Sequence, residues 1–283
     1  MVNRKDNIMR AVIVGAGMGG LMTALALRQS HVFSSIEVYE QTKEPATAGA
    51  GLNIPPNGAR LCRWLGVDLD GGDPKGPHGA IDGGRAAILE SSRQFNEDGS
   101  RSERPFDHVT AAGDGAGFHH MHRLDLLMCL HKRVSEFGPD SGKPCPITVH
   151  MDSRLTELRQ TADDVTATFS NGLVATGGVL VGADGINSAT LEAAWPSLRP
   201  KRWTEVICFR GLIPRADVAA LRKADGSPLD NNPIDSFSMD RHKTDTSAVT
   251  TYWVRGGELL NVWIAHYEPK STEFEQEEGD WFP

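Results

Sequence analysis

The sequence predicts an α/β chain in which a nucleotide-binding βαβ unit and a β-meander are joined to a separate antiparallel sheet. Three observations carry that reading. An apolar strand, Ala11-Val12-Ile13-Val14, runs into the glycine turn Gly15-Ala16-Gly17-Met18-Gly19-Gly20, and a second apolar run, Ile36-Glu37-Val38-Tyr39, ends at Glu40. Four short runs over 147–176 are punctuated by Asp163-Asp164 and Asn171-Gly172, the rhythm of strands and hairpin turns. From 204 onward come apolar and aromatic runs, Val206–Ile213, Ala248–Val254 and Leu259–His266, the last two joined at Gly256-Gly257.

The first unit is written in order. Gly15 permits the tight turn out of the strand, Gly17 lets the backbone approach a pyrophosphate, and Gly20 lets the helix pack closely on the sheet. That helix spans 18–30, with Leu21, Ala24, Leu25 and Arg28 at helical spacing. Its N-terminus offers free N–H groups and the positive end of a dipole to phosphates. Glu40 lies twenty residues past Gly20, where an acid accepts hydrogen bonds from a ribose. A carboxylate there repels a 2′-phosphate, which favours FAD or NAD over NADP. Residues 11–27 carry no charge, sit between Arg10 and Arg28, and contain Ala24-Leu25-Ala26, so they also resemble a signal peptide. Four glycines within those seventeen residues argue against that alternative.

After Glu40 the loop Thr47-Ala48-Gly49-Ala50-Gly51 leads to Pro55-Pro56-Asn57 and a short helix through Leu61 and Leu65, with Asn57 as its predicted N-cap. Residues 70–117 are rich in Gly, Asp, Ser and Pro, with one strand near 86–89 and a partner for it near 91–95. A helix begins at His122 and runs to about Phe137. All four runs of 147–176 read as one meander, followed by a buried strand Val179-Leu180-Val181 that ends in Gly182-Ala183-Asp184-Gly185. Residues 1–10 read as a loose polar extension, and 273–283 as an acidic stretch without an element.

A chain of 283 residues suffices for one large or two ordinary domains. Its 39% hydrophobic and 23% charged content fit a soluble globular protein. The net charge of −8 gives no electrostatic reason to expect nucleic acid or an anionic membrane surface as a partner. Cys62, Cys129, Cys145 and Cys208 are far apart and read as free thiols in a reducing compartment, the cytoplasm. His119-His120-Met121-His122 fits no common zinc spacing, so no metal is expected.

Taken in order, these segments resemble the FAD-dependent aromatic hydroxylases, the class A flavoprotein monooxygenases, and most of all their fungal salicylate-hydroxylase-like members. The resemblance covers roughly residues 10–270. Gly15–Gly20 with Glu40 matches the family's FAD ADP-binding unit. Gly49-Ala50-Gly51-Leu52 with Pro55-Pro56-Asn57 looks like the loop near the isoalloxazine ring. His122-Arg123-Leu124-Asp125-Leu126 is similar to the family's H-R-x-D-L, whose arginine contacts FAD. Gly182-Ala183-Asp184-Gly185-Ile186-Asn187-Ser188 resembles its second motif, G-A-D-G-x-x-S, implicated in FAD and NAD(P)H binding. Phe209-Arg210-Gly211 and Tyr252-Trp253-Val254-Arg255-Gly256-Gly257 look like the F-R-G and Y-P-x-R-x-G segments of the substrate domain.

The resemblance implies a Rossmann-like FAD-binding domain from 8–70 and 118–200, and substrate-domain segments from 71–117 and 201–283. It implies bound FAD, NAD(P)H and O₂ as co-substrates, and a small aromatic or polyketide-like substrate. Gly15, Gly17, Gly20, Glu40, Gly51, Arg123 and Asp184 would hold the cofactor. Arg210 and Tyr252 would bind the substrate and help deprotonate a ring hydroxyl.

The sequence also departs from the family. The arginine that follows the second motif is Leu191 here, and the Y-P pair is Tyr252-Trp253. The third motif, G-D-A-x-H, is not found: the Gly-Asp pairs at 72–73, 113–114 and 279–280 are not followed by Ala-x-His. The expectation is therefore a C-terminally truncated member, with a non-catalytic nucleotide-binding paralogue and another FAD or NAD oxidoreductase as alternatives.

Overall fold

The structure is a computed structural model that describes residues 9–45, 49–67, 69, 79–81, 84–89, 91–96, 98, 100–105, 117–198, 204–222, 226–227, 238–244 and 246–267. The expectations for residues 1–8, Thr47-Ala48, the three Gly-Asp pairs and 273–283 lie outside these.

Its nucleotide part is built on a four-stranded parallel sheet. β1 (Met9–Val14) pairs with β2 (Phe33–Tyr39) on one side and β13 (Val179–Gly182) on the other, and β9 (Ile147–His150) pairs with β2. Both faces of β1 are covered, which is why its sequence is apolar without alternation. Ala11 and Ile13 pack against α1 (Met18–Gln29) and α3 (Arg123–Ser135) through Leu21, Leu25, Leu126 and Leu130. Val12 and Val14 pack against a three-stranded meander, β10 (Leu155–Gln160), β11 (Val165–Phe169) and β12 (Val174–Gly177), through Leu155, Ala167 and Phe169. Tyr39 is stacked between His150 and Phe169, with ring centroids 4.5 and 4.1 Å away. Residues 11–27 are thus a strand and the helix of one folded unit.

Two strand expectations change here. Ile147–His150 was expected in the meander, but it extends the parallel sheet. Helix α3 carries the chain back across the sheet, and Ile147, 2% exposed, joins the helix-side core. The run Val179–Val181 is a half-buried edge strand, because β1 is its sole neighbour in the sheet.

A second sheet has the order β3-β8-β5-β4, from β3 (Gly51–Ile54), β8 (His119–His122), β5 (Gly84–Ile88) and β4 (Gly79–Ile81). Helix α2 (Pro56–Trp64) follows β3 with Pro55, not Asn57, at its N-cap. Pro56 stands at the first helical position, where its fixed φ is already helical and its missing N–H costs nothing, so the helix starts earlier than Asn57 implies.

The third sheet is six-stranded, with the order β14-β17-β16-β15-β6-β7. Its strands are β14 (Val206–Pro214), β17 (Leu259–Tyr267), β16 (Ser247–Val254), β15 (Ser238–Lys243), β6 (Ser91–Asn96) and β7 (Arg101–Pro105). The strand at 91–96 does not partner 84–88. It pairs with β15 and β7, pinned by a buried bidentate ion pair from Arg93 to Asp240 at 2.6 and 2.7 Å. Helix α5 (Arg215–Ala220) covers one end of this sheet through Val218, Trp253 and Leu260. A short helix α4 (Ala189–Ala194) follows β13. No described helix is long and apolar enough to cross a membrane.

Among the described contacts, two polar ones hold the six-stranded sheet against α3 and β3. Arg255 forms a bidentate pair with Asp125 in the first turn of α3, at 3.0 and 2.8 Å. Asn261 accepts a hydrogen bond from the Gly51 amide at 2.7 Å. Arg255, Gly256 and Gly257 all have positive φ (53°, 65° and 87°), so the β16–β17 connection is tight enough to swing the guanidinium onto Asp125. Asp125 is 7% exposed. Replacing Arg255 with Met leaves that buried carboxylate without its part-exposed partner and should cost about 1–3 kcal/mol of stability, whereas Arg255→Met with Asp125→Leu should cost markedly less than the two single changes added. Urea titration of the four proteins measures the coupling, and additive costs would show that the pair does not act as a unit.

Candidate active site

The glycine turn shows three separate constraints. Gly15 has φ +102°, and a Cβ there would lie 2.5 Å from the Ala183 carbonyl oxygen. A Cβ on Gly20 would lie 1.9 Å from the Gly15 oxygen, so α1 cannot seat on the turn with any side chain at that position. A Cβ on Gly17 would meet nothing within 4 Å. The space over Gly17 is open, no side chain caps α1, and no acid sits in its first turn. The positive helix end is therefore free to receive an anion.

Glu40 stands beside this turn. One carboxylate oxygen accepts from the Ala16 amide at 2.8 Å, the other from the Thr42 amide and hydroxyl, both at 3.0 Å. An ionised carboxylate has about four acceptor sites, so capacity remains for a further donor. Gly15, Glu40 and Asp184 follow the carboxyl ends of three parallel strands and share one edge of the sheet, where such folds bind ligands. Arg123 opens α3, which runs back to the amino end of β9, so it stands at the same edge. Its amide donates to the Ala50 carbonyl at 3.0 Å. The Asp184 carboxylate is turned toward α4, accepting from Ser188 Oγ at 2.6 Å and from the Thr190 amide and hydroxyl at 2.9 and 3.1 Å. It organises its own loop, whose backbone abuts Gly15.

His122 closes β8 and caps α3, its Nδ1 accepting from the Leu124 amide at 3.2 Å. Burial, with Arg255 adding to it, holds its pKa below the usual histidine value. Gly51 lies directly beneath Tyr252 and Asn261: a Cβ on it would come within 2.7 Å of both side chains.

Between β3 and the six-stranded sheet is a cavity of about 580 Å³ that brings Gly51, Arg210 and Tyr252 together. Its floor follows the strand register. Arg210 pairs with Trp263, Trp263 with Thr250, Thr250 with Arg241, and Arg241 with Gln94, all on one face and all lining the cavity. Two residues along, Asn261, Tyr252 and Met239 form the next part of the floor. Sequence reasoning found Arg210 and Tyr252 but missed Arg241, Asn261, Asn53 and His120.

Burial pushes the Tyr252 phenol up to about 12, although Arg210 pulls the other way. It therefore stays protonated at neutral pH, with its hydroxyl hydrogen available to donate. His120 stacks on Tyr252 with centroids 4.3 Å apart, and its Nδ1 lies 2.7 Å from Asn53 Oδ1. The amide oxygen is an acceptor, so Nδ1 carries the hydrogen, and Nε2 is buried with no hydrogen-bond partner among the described residues. Burial takes the His120 pKa down to about 3, so the ring is neutral and fixes the Asn53 amide at the cavity wall. The described residues contain no group of side chains arranged to hold a metal ion.

The turn, helix end, acid and cavity are carried on a fold that known proteins share. The chain is a relative of FAD-dependent monooxygenases and has the fold of FAD-bound hydroxylases. It is 28% identical to hispidin-3-hydroxylase of Neonothopanus nambi, over 98% of this chain and 62% of that protein. It is 26% identical to a 3-amino-4-hydroxybenzoate 2-monooxygenase of Streptomyces cremeus, over 94% of this chain and 59% of that one. The crystal structure of Klebsiella pneumoniae HpxO with FAD and uric acid matches 95% of this chain and 59% of its own, at a TM-score of 0.68 and 23% identity. The chain thus spans about three fifths of the length of these curated relatives. No family model matches it.

Two measurements follow from the local geometry. Gly20→Ala should lower stability by at least about 3 kcal/mol, because backbone must move to admit the methyl, while Gly17→Ala should leave the melting temperature nearly unchanged. Equal melting temperatures for the two variants would show that the packing argument is wrong. His120 has a depressed folded pKa, so its neutral form is favoured by folding and its contribution is fully present above pH 6.5. That contribution is lost as pH falls from 6.5 toward 3, at up to about 1.4 kcal/mol per pH unit. Stability measured between pH 7 and 4 should therefore fall less steeply in His120→Gln than in the parent. Parallel curves would rule out a neutral buried His120.

Proposed function

We propose that this chain forms the cofactor- and substrate-binding part of an FAD-dependent monooxygenase. It hydroxylates a small aromatic or polyketide-like substrate, using NAD(P)H and O₂. The observation that carries this reading is the cavity itself. One wall is Gly51, at the loop expected near the flavin ring, and the floor holds Arg210 and Tyr252.

The residues present fit FAD. The open space over Gly17 and the uncapped end of α1 suit the pyrophosphate, and Glu40 has acceptor capacity for the ribose. Arg123 and the backbone around Asp184 line the same sheet edge, and Gly51 lies in the cavity wall, packed beneath Tyr252 and Asn261. When bound, FAD supplies the activation and transfer of oxygen. The protein does the rest. Arg210 holds an anionic oxygen of the substrate, the Tyr252 hydroxyl donates a hydrogen bond to it, and the apolar part of the floor excludes water. The four cysteines are all free, which suits a reducing compartment such as the cytoplasm.

The test separates cofactor from substrate. Purified protein should retain a flavin identifiable as FAD. Glu40→Ala should weaken its binding by about 1.5–3 kcal/mol, roughly ten- to a hundredfold. Arg210→Ala should spare flavin binding and reduce substrate-dependent NAD(P)H oxidation, assayed with hydroxybenzoates. Flavin affinity untouched by the loss of Glu40, or turnover untouched by the loss of Arg210, would each remove that residue from its role.

A further inference from the structure

The register row that forms the cavity floor ends in a second arginine. Arg210 on β14 and Arg241 on β15 are three strands apart, about 14 Å at the usual spacing between strands, and both face the cavity. Trp263 and Thr250 lie between them on the same row. The structure gives neither arginine a carboxylate partner among the described residues. The contact it shows for the Arg241 guanidinium is with Met239 Sδ at 3.7 Å, and both arginines are open to solvent, so an incoming ligand can reach them. No acid is among the described residues that line the cavity. Two guanidinium groups at opposite ends of one cavity, with an indole between them and no counter-charge, call for a ligand that brings its own negative charge to both ends.

We infer that Arg241 is a second specificity-determining residue, and that the cavity takes an elongated planar molecule with an acidic oxygen group at each end. Resting on the substrate-site reading above, this places one acidic end at Arg210, the ring system over Trp263, and the other end at Arg241. Guanidinium groups suit this task because their planar fork meets a carboxylate or enolate in two parallel hydrogen bonds. Asn53, held by His120, and Gln94 beside Arg241 supply further polar contacts near the second end.

The experiment is calorimetric titration of the full chain, with and without FAD, using biphenyl-4-carboxylate and biphenyl-4,4′-dicarboxylate as probes. The parent protein should prefer the dicarboxylate by about tenfold or more. Arg241→Gln should abolish that preference while leaving the monocarboxylate within about twofold, and Arg210→Gln should weaken both probes. Melting temperatures confirm that each variant is folded. The inference is overturned if the parent shows no preference, if neither probe binds, or if Arg241→Gln changes both affinities alike or neither. Flavin content is read on the same preparations. Dianion selectivity in a chain that holds no flavin would refute the monooxygenase reading and leave the two-ended site standing. A flavin-bound chain without selectivity would do the reverse.

Discussion

The bidentate contact between Asp125 and Arg255 is the joint on which the site depends. Asp125 belongs to the first turn of the helix that crosses back over the parallel sheet, and Arg255 to the turn between two strands of the antiparallel sheet. The pair therefore ties the start of α3, which carries Arg123, to the strands that carry Tyr252 and Asn261. Geometry reinforces it. Asn261 takes the Gly51 amide, and Gly51 has no side chain to keep Tyr252 at a distance. A cavity between two sheets keeps its shape only if the sheets are held in register, and the described contacts do this with a part-buried ion pair and a buried hydrogen bond.

Strand β8 illustrates how polar residues can serve as core. His120 is 1% exposed, and His122 only slightly more. Neither behaves as a cation: burial lowers both, and each has a fixed neutral task, His122 capping α3 and His120 orienting Asn53 under Tyr252. A neutral imidazole can pack like an aromatic ring while still placing one hydrogen bond, which apolar residues of similar size cannot do. The histidine-rich segment His119-His120-Met121-His122 is here a strand shared by the core and the cavity wall.

What the sequence discloses is mostly local. The glycine turn, the acid after β2 and the glycine hairpin at 256–257 are readable because each depends on residues a few positions apart. Arg210 and Tyr252 were reachable through the order of motifs, not through their chemistry. Arg241 was not, because its importance comes from three successive strand pairings that no short window records. Asn261 and Asn53 are ordinary amides until the fold sets them against Gly51 and His120. The misassigned Ile147–His150 shows the same limit: its apolar pattern says strand, but its neighbour is fixed by where α3 delivers the chain. Asn57 failed for the opposite reason, since a stronger local signal, Pro56 at the helix start, lay one residue away.

Charge adds a last constraint. The chain carries a net charge of −8, yet the described lining of its cavity presents two arginines and no acid. The overall field therefore does nothing to draw an anion in, and attraction must come from within the cavity, over distances comparable to the Debye length of about 8–10 Å at ordinary ionic strength. Tyr252 fits this arrangement. Its phenol is held protonated by burial, so it adds a donor next to Arg210 rather than a competing negative charge. A cavity assembled from cations and donors, inside an acidic protein, selects its ligand by where the ligand's own acidic oxygens lie, not by total charge. That selection is set by strand register, which is why the fold of the antiparallel sheet, more than the glycine turn common to many nucleotide-binding proteins, determines what this chain can recognise.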